Sequence, residues 1–141
     1  MSAVLPVRRL EAGAVLPTRA HADDAGLDLY SLEDTTVPPG DGTVLRTGVA
    51  VAISPGYVGL VCDRSSMARR GLKTAGGVID AGYRGEIGVV VWNLSREAQA
   101  VKKGERIAQM LIVPIATPAP IDSDDLGATA RGSGGFGSTG R

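Results

Sequence analysis

A chain of 141 residues fits a single domain and can bury roughly 68% of the surface that its unfolded form exposes. Its 15 basic and 15 acidic side chains balance, so no global field recruits nucleic acid or an anionic membrane, and any phosphate site must be local. The one cysteine, Cys62, excludes an internal disulfide and, in an apolar strand pattern, reads as a buried thiol in a reducing cytoplasm. Residues 1–10 lack an apolar core of signal-peptide length, and nowhere do ~18 apolar residues run together. A soluble cytoplasmic protein is expected.

Asp23-Asp24-Ala25-Gly26-Leu27-Asp28-Leu29 predicts a short strand beginning after a glycine. Alternation sets Asp28 on the face opposite Leu27 and Leu29, where its carboxylate must be solvated, paired or bound to a cation. Asp23 and Asp24 read as solvated, as does His21 in its polar loop. Apolar, β-branched runs then recur at 43–53, 57–62, 87–93 and 106–115. Between them lie Pro38-Pro39-Gly40-Asp41-Gly42, Ser54-Pro55-Gly56, Asp80-Ala81-Gly82 and Lys103-Gly104, all suited to tight reversals. Spacing of about ten residues is the signature of a sandwich or barrel, so the fold class is all-β. The continuous runs 88–92 and 110–113 are expected to be covered on both faces, in part by another subunit, with Trp92 in a core or interface.

One stretch looks helical. Residues 65–71 offer serine at the N-cap, arginines in the last turn and Gly71 just past the end, giving about two turns. Arg64-Ser65-Ser66 therefore sits where a strand gives way to a helix, a junction that suits a phosphate and equally an ordinary N-cap. Residues 76–86 read as a Gly-rich hairpin that can present bare backbone to a base edge, with Asp80 able to deprotonate water and Tyr83 able to wall a sugar. A plain hairpin with a turn aspartate and a half-buried tyrosine fits those residues as well. Gln109 is the polar exception in an apolar strand and needs a partner, whether a carboxylate, a ligand phosphate or a group inside the fold. No zinc-like cluster, Walker loop or Ser-His-Asp set is present, so a cation must rest on oxygen ligands, favouring Mg²⁺ brought in with a polyphosphate.

After residue 116 the composition shifts to Thr117-Pro118-Ala119-Pro120 and then to Asp122-Ser123-Asp124-Asp125. Residues 117–130 read as a tether spanning at most about 46 to 50 Å. Residues 131–141 hold five glycines, Arg131, Phe136, Ser138, Thr139 and Arg141. Such a segment cannot fold alone, but it can close over a ligand with a ring for a planar base and donors for phosphate. The expected organisation is a body at 1–116, a tether at 117–130 and a closing arm at 131–141.

In order along the chain, five segments resemble the five motifs of the trimeric dUTP diphosphatases (dUTPases). They are Ala25-Gly26-Leu27-Asp28-Leu29; Arg64-Ser65-Ser66-Met67-Ala68; Gly77-Val78-Ile79-Asp80-Ala81-Gly82-Tyr83-Arg84-Gly85; Gly104-Glu105-Arg106-Ile107-Ala108-Gln109; and Arg131-Gly132-Ser133-Gly134-Gly135-Phe136-Gly137-Ser138-Thr139-Gly140. The resemblance implies a distorted, β-clip-like jelly roll forming a homotrimer, with sites at subunit interfaces closed by the C-terminal arm. It implies hydrolysis of dUTP to dUMP and pyrophosphate, limiting uracil incorporation into DNA and supplying dUMP for dTMP synthesis. By the same resemblance Asp80 would activate the water that attacks the α-phosphorus, and Asp28 would hold Mg²⁺ through water. Arg64, Ser65, Ser66 and Gln109 would bind phosphates, and Tyr83 would pack on the deoxyribose and exclude a 2′-hydroxyl. The backbone around Thr74, Gly77, Val78 and Ile79 would read uracil. Phe136 would cover the base, with Arg131, Gly137, Ser138 and Thr139 at the arm's end of the substrate.

Two residues depart from the family's usual pattern. Asp63 and Ser66 stand where many members have proline or glycine, and glycine, respectively. An acid beside a triphosphate repels it unless it points elsewhere. The resemblance extends to dCTP deaminases, but the position of their essential glutamate is matched here by Val90, which cannot shuttle protons. A catalytically inactive nucleotide-binding jelly roll is the third reading.

Overall fold

The computed structural model describes residues 4–140. Residues 1–3 of the N-terminal reading and Arg141 of the arm lie outside the described residues. In chain order the elements are β1 (Val7–Arg9), β2 (Leu27–Tyr30), β3 (Thr35–Val37), β4 (Gly42–Arg46), β5 (Val49–Val51), β6 (Tyr57–Cys62), α1 (Ser65–Arg69), β7 (Leu72–Thr74), β8 (Val78–Ile79), β9 (Gly88–Asn93), β10 (Gln99–Val101) and β11 (Arg106–Pro114). The all-β expectation holds, and the strands form a distorted jelly roll with one short helix.

The longest strand, β11, lies antiparallel between β2 and β6, and β8 extends that sheet on the far side of β6. A second sheet runs β4-β9-β7, and two ribbons pair β1 with β5 and β3 with β10. Between them Leu29, Leu45, Leu72, Ile87, Ile107 and Met110 are buried in one cluster. Each such side chain stabilises the fold by about 1.5 to 3 kcal/mol relative to exposure. The last strand ends at Pro114; residues 116–140 carry no helix or strand, and all of them but Gly134 and Gly135 are exposed.

Several expectations are corrected. The run at 43–53 is not one strand, because it breaks at Thr47-Gly48 and its halves join different sheets. Gly48 has φ 71°, and a Cβ there would lie 2.9 Å from both Ala14 Cβ and Leu32 Cδ1, so only glycine allows this bend against packed neighbours. Residues 76–86 are not a hairpin either. β8 pairs with β6 whereas β9 pairs with β4 and β7, so the turn at Asp80, closed by Tyr83 N–H to Asp80 O at 3.1 Å, passes the chain between sheets.

Residues 88–92 are covered by this chain on one face, and the other, where cover from another subunit is expected, is open. Val89, Val91 and Asn93 are buried while Val90 and Trp92 are exposed, Trp92 by 46%. Trp92 is thus outside the core, its ring lying over Gly42. On β11, Met110 is buried but Leu111, Ile112 and Val113 only half so. Cys62 is half-buried rather than buried. The helix is shorter than two turns, and its N-cap is Arg64, with no side-chain capping bond, rather than Ser65.

Candidate active site

Strand register places Asp28 opposite Gln109 on β11, and Gln109 opposite Cys62 on β6. Arg64, two residues beyond β6, turns back over this seam, and its Nε donates to Asp28 Oδ1 at 3.1 Å. Arg106 brings Nη1 to 3.5 Å from Asp28 Oδ2. The carboxylate of Asp28, only 13% exposed, is therefore ion-paired, one of the three states open to it. Asp28, Arg64, Arg106 and Gln109, with Ser65, Gly26 and Asp24, line a polar cavity of about 370 Å³.

Gly26 makes room for the Gln109 amide. A Cβ at position 26 would collide with Gln109 Oε1 and stand 2.9 Å from Gln109 Cβ. The half-buried Gln109 donates through Nε2 to the Asp63 carbonyl oxygen at 2.8 Å, the partner inside the fold that its position demanded. Ser66 is exposed, its Oγ accepting from Arg64 Nη1 at 3.5 Å. Asp24 is not merely solvated: its Oδ2 accepts from the His21 backbone N–H at 2.9 Å and lies 3.0 Å from His21 Nδ1. The His21 ring and backbone bonds hold the Asp24 carboxyl below the usual carboxylate range.

The acid at position 63 points away from the cavity. Its Oδ1 accepts from Thr74 N–H and Thr74 Oγ1, both at 2.7 Å, and its Oδ2 from Lys73 Nζ at 2.6 Å. Burial alone would raise the Asp63 carboxyl, but the bonds from Lys73 and Thr74 together outweigh it and lower it. Its charge is thus matched locally.

Thr74, Gly77, Val78, Ile79, Asp80 and Tyr83 occupy a separate stretch of this chain. Gly77 has φ 96° and its carbonyl accepts from Val61 N–H at 2.8 Å. Val78 and Asp80 are exposed and Ile79 is buried. Tyr83 is exposed rather than half-buried, lies against Gly85 and donates its hydroxyl to Glu86 O at 2.8 Å. In the arm, Arg131 Nε donates to Gly134 O at 2.8 Å, and Ser138 N–H to Gly135 O at 3.1 Å. Phe136 is fully exposed at φ 51°, a left-handed conformation uncommon outside glycine. Gly137, Ser138 and Thr139 are also exposed.

Of the residues expected to bind phosphate, Arg64, Ser65 and Gln109 are therefore brought together with Asp28, the expected metal residue, whereas Ser66 and the base, sugar and arm residues do not line their cavity. Arg106 and Gly26 complete the cavity, and neither stands out as a site residue from the sequence. Strict alternation sets Arg106 on the face opposite Gln109, but the pairing with β2 shifts register between Arg106 and Ala108, which undoes that alternation. Glycine before an Asp-bearing strand is the one signal for Gly26.

Among the described residues no group of three or more His, Cys, Asp or Glu side chains could enclose a metal ion. With Asp28 already paired to two guanidinium groups, the described side chains build no direct cage for a cation, and a hard ion here would take most of its oxygen ligands from a bound polyphosphate.

The dUTPase family model matches residues 12–140. A deoxyuridine 5′-triphosphate nucleotidohydrolase of Mycobacterium marinum is 48% identical, over 99% of this chain and 97% of that protein. Its Mycobacterium tuberculosis counterpart is 47% identical with the same coverage. Among solved structures, the dUTPase of Staphylococcus bacteriophage 80alpha with dUPNHPP is 35% identical with a TM-score of 0.89, covering 99% of this chain and 100% of that one. A variant dUTPase of phage phi11 of S. aureus, described as coordinating a structural Mg(II) ion, is 32% identical with a TM-score of 0.80, over 87% of this chain and 98% of its own.

Proposed function

The chain belongs to the dUTPase family, and from that premise we propose how its residues divide the hydrolysis of dUTP. The enzyme cleaves dUTP to dUMP and pyrophosphate. The observation that carries the residue assignment is the convergence of Asp28, Arg64, Ser65 and Gln109 on one polar cavity. Arg64 meets Asp28 through Nε, so its guanidinium keeps further N–H donors for phosphate oxygens. Arg106 adds a second cation, and Ser65, Ser66 and Gln109 add neutral donors. Asp28 holds Mg²⁺ through water; when bound, the ion neutralises charge on the triphosphate.

Asp80, exposed after β8, takes the proton of the water that attacks the α-phosphorus, and pyrophosphate leaves. Tyr83 packs on the deoxyribose and excludes a 2′-hydroxyl. The backbone at Thr74, Gly77, Val78 and Ile79 reads the uracil edge and leaves no space for a 5-methyl group. Phe136 covers the base, and Arg131, Gly137, Ser138 and Thr139 clamp the outer phosphates as the arm, 131–141, closes on its tether. The chain acts as a homotrimer with sites shared between subunits. Two features support this: Asp80 and Tyr83 line no part of the phosphate cavity of their own chain, and Val44, Val90 and Trp92 leave an apolar sheet face open.

Among the described residues no helix is long and apolar enough to cross a membrane. We place the enzyme in the cytoplasm, with dUTP as ligand and neither nucleic acid nor membrane as partner. The deciding assay compares pyrophosphate release from dUTP, dCTP, dTTP and UTP. Strong preference for dUTP is expected; equal rates would overturn the specificity assignments, and ammonia release from dCTP would favour the deaminase reading against which Val90 speaks.

A further inference from the structure

Asp63 ties the two larger sheets together beside the cavity. It directly follows β6, in the β2-β11-β6-β8 sheet, and its Oδ1 holds both the N–H and the hydroxyl of Thr74, the last residue of β7 in the β4-β9-β7 sheet. Through its own carbonyl oxygen it also receives Gln109 Nε2, and Arg64 is its neighbour in sequence. One residue therefore contacts both the phosphate-holding amide and the start of the segment that reads the base. Building on the assignments proposed above, we infer that Asp63 is a positioning residue that sets the 74–79 segment against the phosphate cavity, making base discrimination depend on the acceptor oxygen it offers Thr74.

The geometry favours this over a general structural role. The far end of the segment is fixed independently, by Val61 N–H to Gly77 O at 2.8 Å and by the pairing of β8 with β6. The near end is laddered to β9, with Thr74 opposite Val91 and Ala75 N–H reaching Val90 O at 3.0 Å, so it belongs to the other sheet, and the bonds from Asp63 to Thr74 tie that end to the sheet carrying the phosphate cavity. These are charge-assisted and hence stronger than neutral ones, and Lys73 offsets the charge that would otherwise oppose a triphosphate.

The test uses the full-length enzyme. Asp63→Ala is expected to lower the dUTP-to-dTTP ratio of kcat/KM by about tenfold, mainly through KM for dUTP, because the base segment loses its anchor while Asp80 is untouched. Asp63→Asn keeps an acceptor oxygen for Thr74 and is expected to hold the ratio within about threefold of the parent. A folded Asp63→Ala enzyme with the parental ratio and KM overturns the inference. The unsubstituted enzyme supplies an independent reading, by amide hydrogen exchange at 74–77 with and without inorganic tripolyphosphate. Occupancy of the phosphate cavity is expected to slow that exchange several-fold. Tripolyphosphate binding without slowing overturns the inference alone, and absence of binding by calorimetry overturns the phosphate assignment beneath it as well.

Discussion

Asp28 and Gln109 face each other across β2 and β11, yet they reach the same cavity by different means. Asp28 is held by two guanidinium groups and Gln109 by a backbone carbonyl, so one contributes charge balance and the other a neutral, fixed amide. Gly26 is the silent partner of that amide. Gly26→Ala drives a methyl into the Gln109 side chain: the amide can swing away, but Gln109 Cβ, 2.9 Å off, must shift slightly with β11. The expected outcome is a folded enzyme whose KM for dUTP rises several-fold to tenfold while kcat changes little, since ground-state and transition-state phosphate contacts are lost alike. Asp80→Asn is expected to do the reverse: nucleotide affinity stays and single-turnover hydrolysis falls by roughly 10² to 10⁴, the usual contribution of a general base. A rate within a few-fold of the parent would remove Asp80 from that role.

The β6–β8 pairing shows what a sequence does and does not disclose. Apolar, β-branched runs bounded by turn residues make the strands at 57–62, 87–93 and 106–115 legible, because both signals lie within the local sequence. Two-residue β8 reads instead as one arm of a hairpin at 76–86, since turn signals at 80–82 carry no information about β6, 18 to 20 positions earlier, with which it pairs. Gly48 is likewise invisible inside an apolar run, because Ala14 and Leu32, which exclude its Cβ, are distant in sequence. In the site, polar exceptions such as Asp28 and Gln109 stand out, whereas Arg106 is hidden by a register shift. Gly77 measures the strength of the β6–β8 contact. Its φ is 96° and a Cβ would lie 2.7 Å from the Val61 carbonyl oxygen, so Gly77→Ala forces backbone apart and is expected to cost about 1 to 3 kcal/mol, read as a lower urea midpoint at fixed protein concentration. The loop after β8 is braced by Glu86, bonded to Arg46 Nε and Nη2 at 3.1 and 2.9 Å. That guanidinium, which outweighs burial, holds the Glu86 carboxyl below its usual range. Its stabilisation is thus present above the unfolded value of about 4.3 and lost as pH falls through the lower folded value. Glu86→Gln is expected to be less stable than the parent by up to about 1 kcal/mol at pH 7, and acid titration of both should bring their stabilities together.

The closing role proposed for the arm predicts that its removal separates assembly from chemistry. The hydrogen bonds of residues 116–140 lie within that stretch, and Phe136 is fully exposed, so the body's core owes it nothing. Removing residues 131–141 is expected to leave sedimentation and thermal unfolding unchanged while dUTP hydrolysis nearly vanishes, because an unclosed site admits water and leaves the outer phosphates unclamped. Phe136→Ala is expected to show part of that loss, since a ring over a base contributes about 1 to 3 kcal/mol of stacking. A tether able to span up to about 50 Å can reach a neighbouring subunit, which a mixture decides. Subunits lacking the arm but keeping Asp80 are exchanged with Asp80→Asn subunits that keep the arm. If arm and base of one site come from different chains, hybrid trimers contain sites with both parts intact, and activity reappears although each parent is inactive. No recovery despite verified exchange means that each arm closes over a site whose base is on its own chain, and full activity of the truncated trimer would remove the closing role altogether.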